Sequence, residues 1–206
     1  MLTKKQLILL KSFQSNVFRE YSFKDISRIT GEKSNNALQI AIKQFIEEDL
    51  VSWRKIGNSK LYKMKIENEI CYDYLTLISY ESLTPEVKSS INALKKEIEK
   101  YNFFYSLVIF GSYAIGKQTR KSDLDIALII PDKTLEKDMK IAVNMALNNS
   151  IIPLHVEIIA SNDFFEMLIN KQENVGKEIA RKHRAIHNIN IFYKIVKMAN
   201  DNGFKY

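Results

Sequence analysis

Two aspartates, Asp123 and Asp125, open the apolar run Leu124-Asp125-Ile126-Ala127-Leu128-Ile129-Ile130. Alternate residues of an extended chain share a face, so both carboxylates are expected to point the same way. Hard oxygen donors placed so suit Mg²⁺, and two such ions can clamp the attacking and leaving oxygens of an in-line displacement. Ten residues separate Asp123 from Gly111-Ser112, which follows another apolar run, residues 105–110. A glycine at that point lets backbone N–H groups approach a phosphate with no side chain in the way. A third carboxylate, Glu157, stands in Leu154-His155-Val156-Glu157-Ile158-Ile159. Alternation sends it to the face opposite Val156 and Ile158. A charge inside a strand is costly unless paired or metal-bound. Glu157 is therefore expected beside Asp125 in one sheet, binding metal or taking the proton of an attacking hydroxyl.

Neither Gly-Ser nor Asp-x-Asp is specific alone, since each is common in turns and on acidic surfaces. Gly-Ser after a strand, ten residues, then Asp-x-Asp running into a second strand is far more specific. Over residues 104–182 this pattern resembles the minimal nucleotidyltransferases of the DNA polymerase β superfamily. The resemblance implies nucleotide phosphates on Gly111 and Ser112 and Mg²⁺ on Asp123 and Asp125. The family's third acid is usually Asp; Glu157 takes that place here, as metal ligand and catalytic acid of a two-metal site. The implied reaction is transfer of AMP from ATP, or of another nucleotide from its triphosphate, to a protein or RNA hydroxyl. An antitoxin-like role with a HEPN-type toxin as partner follows from the same likeness. Asn174-Val175-Gly176-Lys177-Glu178-Ile179-Ala180 looks like the helix that closes such domains. Lys117, Arg120 and Lys121 in the loop read either as neutralising a triphosphate or as ordinary loop solubility. Ser122 reads as part of that nucleotide site or as the cap of the turn before Asp123.

The elements that must carry these residues are legible from periodicity. Residues 105–110, 125–130 and 154–160 read as strands, with helical spacing over 134–149, a short helix after Ser161-Asn162-Asp163, and further helical stretches to the end. Residues 67–103 read as a charged helical connector; Thr84-Pro85-Glu86 opens a helix with Val87, Ile91, Leu94 and Ile98 inward. Residues 1–66 read as three helices and a hairpin: one behind Thr3, one from Ser22 to a stop at Gly31, one behind Ser34, then two extended pieces around Gly57-Asn58-Ser59. The domains expected are thus 1–66, 67–103 and 104–206, in an α+β chain with a small mixed sheet in its last part.

The order of the first 66 residues is similar to a winged helix. In that likeness 33–48 is the recognition helix, with Asn35, Asn36, Gln39 and Lys43 on its polar side. Asn and Gln can read adenine edges, while Arg54, Lys55, Lys60 and Lys63 of the wing can meet phosphate. The alternatives are a module for homodimerisation or protein docking, because Glu47, Glu48 and Asp49 close the helix with negative charge. The whole protein could then be a DNA-binding regulator whose nucleotidyltransferase fold binds nucleotide without turnover. Two segments are set aside. Arg181 and His187, with five residues between them, resemble the ribonuclease motif of HEPN toxins, but the polar residue that usually follows the Arg is missing and the stretch reads as a basic helix end. His155 shares a face with Glu157 and reads as a satisfied structural histidine, or as a contact to substrate.

Composition bounds the rest. The chain has 206 residues, 31 basic against 24 acidic, net charge +7, and 46% apolar residues, which is enough for a core. That charge permits a polyanionic partner without demanding one. The single cysteine, Cys71, excludes an internal disulfide framework and a Cys-rich zinc site. With no apolar run near the ~18–20 residues of a membrane span and no secretory leader pattern, the expectation is a cytoplasmic protein with no membrane partner.

Overall fold

The computed structural model describes residues 1–205, and the chain divides into two compact units, Met1–Ile78 and the part from Ser79 on. The first unit holds α1 (Lys4–Leu10), β1 (Tyr21–Ser22), α2 (Phe23–Thr30), α3 (Asn35–Glu47), β2 (Val51–Ile56) and β3 (Ser59–Met64), and α4 (Ile70–Glu81) begins in it. Its boundaries follow local chemistry. Thr3 with Gln6 and Ser22 with Asp25 form reciprocal capping boxes, each satisfying two orphan N–H groups. Gly31 ends α2 in the left-handed region at φ 70°. The Ser34 hydroxyl accepts the Ala37 N–H at 3.2 Å and starts α3. Leu38, Ala41, Ile42 and Phe45 are the buried stripe of α3. The three strands form an antiparallel sheet in the order β1-β3-β2, with Gly57 and Asn58 joining β2 to β3. The two-residue β1, pairing Tyr21 with Tyr62, has no signal in the sequence because it is too short for alternation to show.

The second unit contains α5 (Pro85–Ile98), β4 (Ser106–Ile109), α6 (Gly111–Ala114), β5 (Leu124–Ile130), α7 (Glu136–Leu147), β6 (Leu154–Ala160), α8 (Ser161–Ile169), α9 (Val175–Arg181), β7 (Arg184–His187) and α10 (Ile189–Asp201). Its mixed sheet has the order β6-β5-β4-β7: β5 and β6 are parallel, the other two pairings antiparallel. Leu107, Ile109, Leu124, Ile126, Leu128 and Ile130 turn one face to the apolar stripes of α5 and α7. Helix α5, inside the stretch read from sequence as a connector, is therefore part of this core through Val87, Ile91, Leu94 and Ile98. Helices α8 and α10 pack together through Phe164 and Phe192, whose ring centroids are 5.8 Å apart, and both contact the sheet. Buried His183 locks this layer: Nδ1 donates to the Ala180 carbonyl at 2.8 Å and Nε2 accepts from the Tyr193 hydroxyl at 3.0 Å, the arrangement of a neutral ring.

One element departs from expectation. Residues 184–187, read as a helix end, form the edge strand β7 against β4. Four residues are too few for a period to show, and the pairing partner lies about seventy-five residues earlier in the chain. Because β7 interrupts the helix, Arg181 and His187 do not lie on one continuous helical surface.

Candidate active site and nucleic-acid-facing surface

Strand β5 delivers Asp125 and β6 delivers His155 and Glu157. In the parallel register Asp125 stands opposite His155, and Ala127 opposite Glu157. Paired residues share a face, so the three polar side chains lie on the side of the sheet away from the α5 and α7 core. The imidazole of His155 sits between the carboxylates, with Nδ1 3.0 Å from Asp125 Oδ1 and Nε2 3.3 Å from Glu157 Oε1. Asp123, one residue before β5, is exposed, and its carboxylate has no hydrogen bond or ion pair among the described residues.

The Gly-Ser turn meets this group from above β4. The Phe110 N–H donates to the Asp125 carbonyl at 3.0 Å, aligning the end of β4 with the start of β5. Gly111 then takes φ 63° and opens α6. An ideal β-carbon there would come within 2.2 Å of Asp125 Oδ2, so only glycine lets the backbone rest on that carboxylate. Ser112 follows in the first turn of α6, where N–H groups lack helical partners. The close approach of this backbone to the Asp125 carboxylate is thus built into the turn.

The loop that follows is held by its own backbone and side chains. The Lys117 N–H donates to the Ser112 carbonyl at 3.0 Å, and the Thr119 N–H donates to the Ser122 hydroxyl at 2.9 Å. The Ser122 hydroxyl thus caps the turn before Asp123. Lys117, Arg120 and Lys121 are exposed, and their side chains make no ion pair among the described residues.

Glu157 is not the buried strand charge that its apolar neighbours suggest, and none of the three acids is buried. Asp123 is exposed, Asp125 is 25% exposed and Glu157 is 41% exposed, because β6 is an edge strand open to solvent. Among the described residues no three His, Cys, Asp or Glu side chains are gathered as a ready-made metal cluster, and His155 fills the gap between Asp125 and Glu157. The donor set still fits a hard divalent cation: the carboxylate oxygens of Asp123, Asp125 and Glu157, with solvent access for retained waters.

His155, read from its i, i+2 relation to Glu157 as a structural histidine or a contact to substrate, bridges the two carboxylates. Arg184 carries no signal in the sequence. It stands opposite Ile109 on β4, and its Nε donates to the Ala114 carbonyl of α6 at 3.0 Å, a contact across seventy residues.

In the first unit Asn35, Asn36, Gln39 and Lys43 are all exposed on α3. The four hairpin cations divide. Register pairs Lys55 with Lys60 and Trp53 with Tyr62, placing these side chains on one face; Arg54 and Lys63 lie on the other. Lys60 Nζ sits 4.2 Å from the Trp53 ring centroid. Gln39, Lys43 and Lys60 line one groove of about 570 Å³ with Phe23, Ile42 and Ile46. Arg54 instead forks onto Glu20, at 2.5 and 2.6 Å, and holds that carboxyl below the usual carboxylate range. The structure thus gathers Gln39, Lys43 and Lys60, leaves Lys55 on their side of the hairpin, and engages Arg54 elsewhere.

A family model described as a nucleotidyltransferase domain matches residues 91–202. That span runs from within α5 through α10 and includes Gly111, Ser112, Asp123, Asp125 and Glu157. No curated protein matches the chain. No helix among the described residues is long and apolar enough to cross a membrane.

Proposed function

Because the chain belongs to the nucleotidyltransferase domain family, we propose that its second unit transfers the nucleotidyl group of ATP to a hydroxyl on a protein or an RNA. The observation that carries this reading is the meeting of Asp125 and Glu157 on one face of β5 and β6, with Gly111 packed on the Asp125 carboxylate. In the reaction the acceptor oxygen attacks the α-phosphorus, the bond from that phosphorus to the bridging oxygen breaks, and pyrophosphate leaves. Glu157 takes the hydroxyl proton. Asp123, Asp125 and Glu157 would hold Mg²⁺, which when bound would neutralise phosphate charge and polarise the reacting oxygens. The free N–H groups of Gly111 and Ser112 orient the phosphates, and Lys117, Arg120 and Lys121 offset the charge of the leaving pyrophosphate.

The first unit supports a second assignment. Its helices and hairpin suit a winged helix that lays α3 in a DNA major groove, with Asn35, Asn36 and Gln39 at base edges and Lys43, Lys55 and Lys60 at phosphates. The groove shared by Gln39, Lys43 and Lys60 favours it. A DNA-bound transferase of this kind would act as an antitoxin-like regulator.

The test is incubation of the full chain with α-labelled ATP, Mg²⁺ and cell extract. Label in a protein or RNA band, lost with Asp125→Asn, is the expected result. No labelled product with any of the four nucleoside triphosphates, alongside measurable nucleotide binding, would leave the regulator that binds without turnover.

A further inference from the structure

Helix α6 is the weakest element beside the catalytic face. It has four residues and no side-chain cap at its N-terminus. A helix so short has too few hydrogen bonds to offset its nucleation cost and must be held by its surroundings. Its first residue, Gly111, rests on Asp125. Its last, Ala114, is held by Arg184, whose Nε donates to the Ala114 carbonyl at 3.0 Å while Nη1 donates to the Ser82 hydroxyl at 3.3 Å. Arg184 is itself fixed, being on β7 opposite Ile109, two residues before Gly111. The guanidinium is half-buried, and no carboxylate pairs with it among the described residues. Burial pushes its pKa down, but a guanidinium keeps its charge at any working pH. An uncancelled positive charge and a two-point fork therefore sit at one end of the turn that the proposed function assigns to phosphates.

We propose that Arg184 is a positioning residue for the phosphate-binding turn: its fork ties Ala114 and Ser82 to β7, so the N–H groups of Gly111 and Ser112 keep their aim beside Asp125. The inference rests on the nucleotide-binding reading of this unit. Lysine at this position would keep the charge without the planar fork, and glutamine would keep a hydrogen bond without the charge. The side chain acts through the phosphate turn, so its loss should weaken ligands in proportion to the phosphates they carry.

The experiment uses the full chain and two readouts. Calorimetric binding of ATP and of AMP with Mg²⁺ is measured for wild type, Arg184→Gln and Arg184→Lys. Amide hydrogen exchange is followed at residues 111–115 and, as reference, in β5 and α7. The expected result for Arg184→Gln is roughly tenfold weaker ATP binding, a smaller loss for AMP, and exchange at least tenfold faster at 111–115 with β5 and α7 unchanged; Arg184→Lys should fall between. Equal losses for ATP and AMP, unchanged exchange at 111–115, or faster exchange spread over β5 and α7 would each overturn it. If wild type binds no nucleoside triphosphate, the nucleotidyl reading fails and the assignment of Arg184 to a phosphate turn falls with it. If wild type binds and Arg184→Gln binds equally well, only the role of Arg184 falls.

Discussion

Gly111 and Asp125 are fitted to one another: a β-carbon at 111 would stand 2.2 Å from Asp125 Oδ2 and 3.0 Å from its carboxyl carbon. The contact couples the first residue of α6 to Asp125, the acid of β5. Gly116, in the loop after α6 at φ 69°, has nothing within 4 Å of its would-be β-carbon. The two glycines separate backbone strain from loss of a contact. Gly111→Ala is expected to cost about 1–3 kcal/mol in stability and to displace the Asp125 carboxylate, lowering transfer by about 10²-fold. Gly116→Ala should show the strain alone, with transfer near wild type. Urea unfolding and turnover, measured on both variants, check this; equal turnover losses would mean the contact is incidental.

The three acids should separate by role. Asp123→Asn and Asp125→Asn are expected to abolish transfer with circular dichroism unchanged, since Asp123 is exposed and Asp125 partly so. Glu157→Gln should slow chemistry by about 10²-fold or more, the scale of a lost general base. Chelation with EDTA should stop the reaction and added Mg²⁺ should restore it. Wild-type turnover by Asp125→Asn would remove the metal role assigned to it.

Acid should destabilise the second unit through His183. Burial pushes this imidazole down to about 4, below the 6.5 of a free histidine. The unfolded chain therefore binds the proton that the folded chain refuses. Stability from this group is fully present above about pH 6.5 and is lost as pH falls toward 4. Full development of such a shift is about 3 kcal/mol. His187, less deeply buried and also lowered to about 4, adds a smaller effect in the same direction. Urea midpoints between pH 7 and pH 4.5 should fall, and His183→Gln, though less stable at pH 7, should show a flatter dependence over that window.

The hairpin cations should contribute unequally to duplex binding. Lys55 and Lys60 share a face, and Lys60 lines the groove with Gln39 and Lys43, whereas Arg54 is engaged by Glu20. Lys55→Ala with Lys60→Ala is expected to weaken duplex DNA binding and flatten the log–log salt dependence by about two units, one for each phosphate contact. Arg54→Ala should change the slope little. Asn36→Ala or Gln39→Ala should alter sequence preference at nearly constant slope. Anisotropy with a labelled duplex at several salt concentrations reads all three, and no binding at low salt would turn the first unit into a protein-docking module.

Alternation and spacing in the sequence were enough to order the strands that carry Asp125 and Glu157, to put both acids on one face, and to place Gly111-Ser112 at a strand end. Each is a local property, since a period of two fixes a side chain's face and glycine marks where backbone must approach closely. The caps Thr3, Ser22 and Ser34 were legible for the same reason: their partners lie three residues away. Tertiary structure alone decided what depends on distant partners. It placed β6 at the sheet edge, so Glu157 is open to solvent rather than a buried charge needing compensation. It set the parallel register that puts His155 between two carboxylates. It also made residues 184–187 a strand, carrying Arg184 to the end of α6. Those outcomes follow from which chain segments neighbour one another, and four residues of β7 hold too little periodicity to announce a partner on β4.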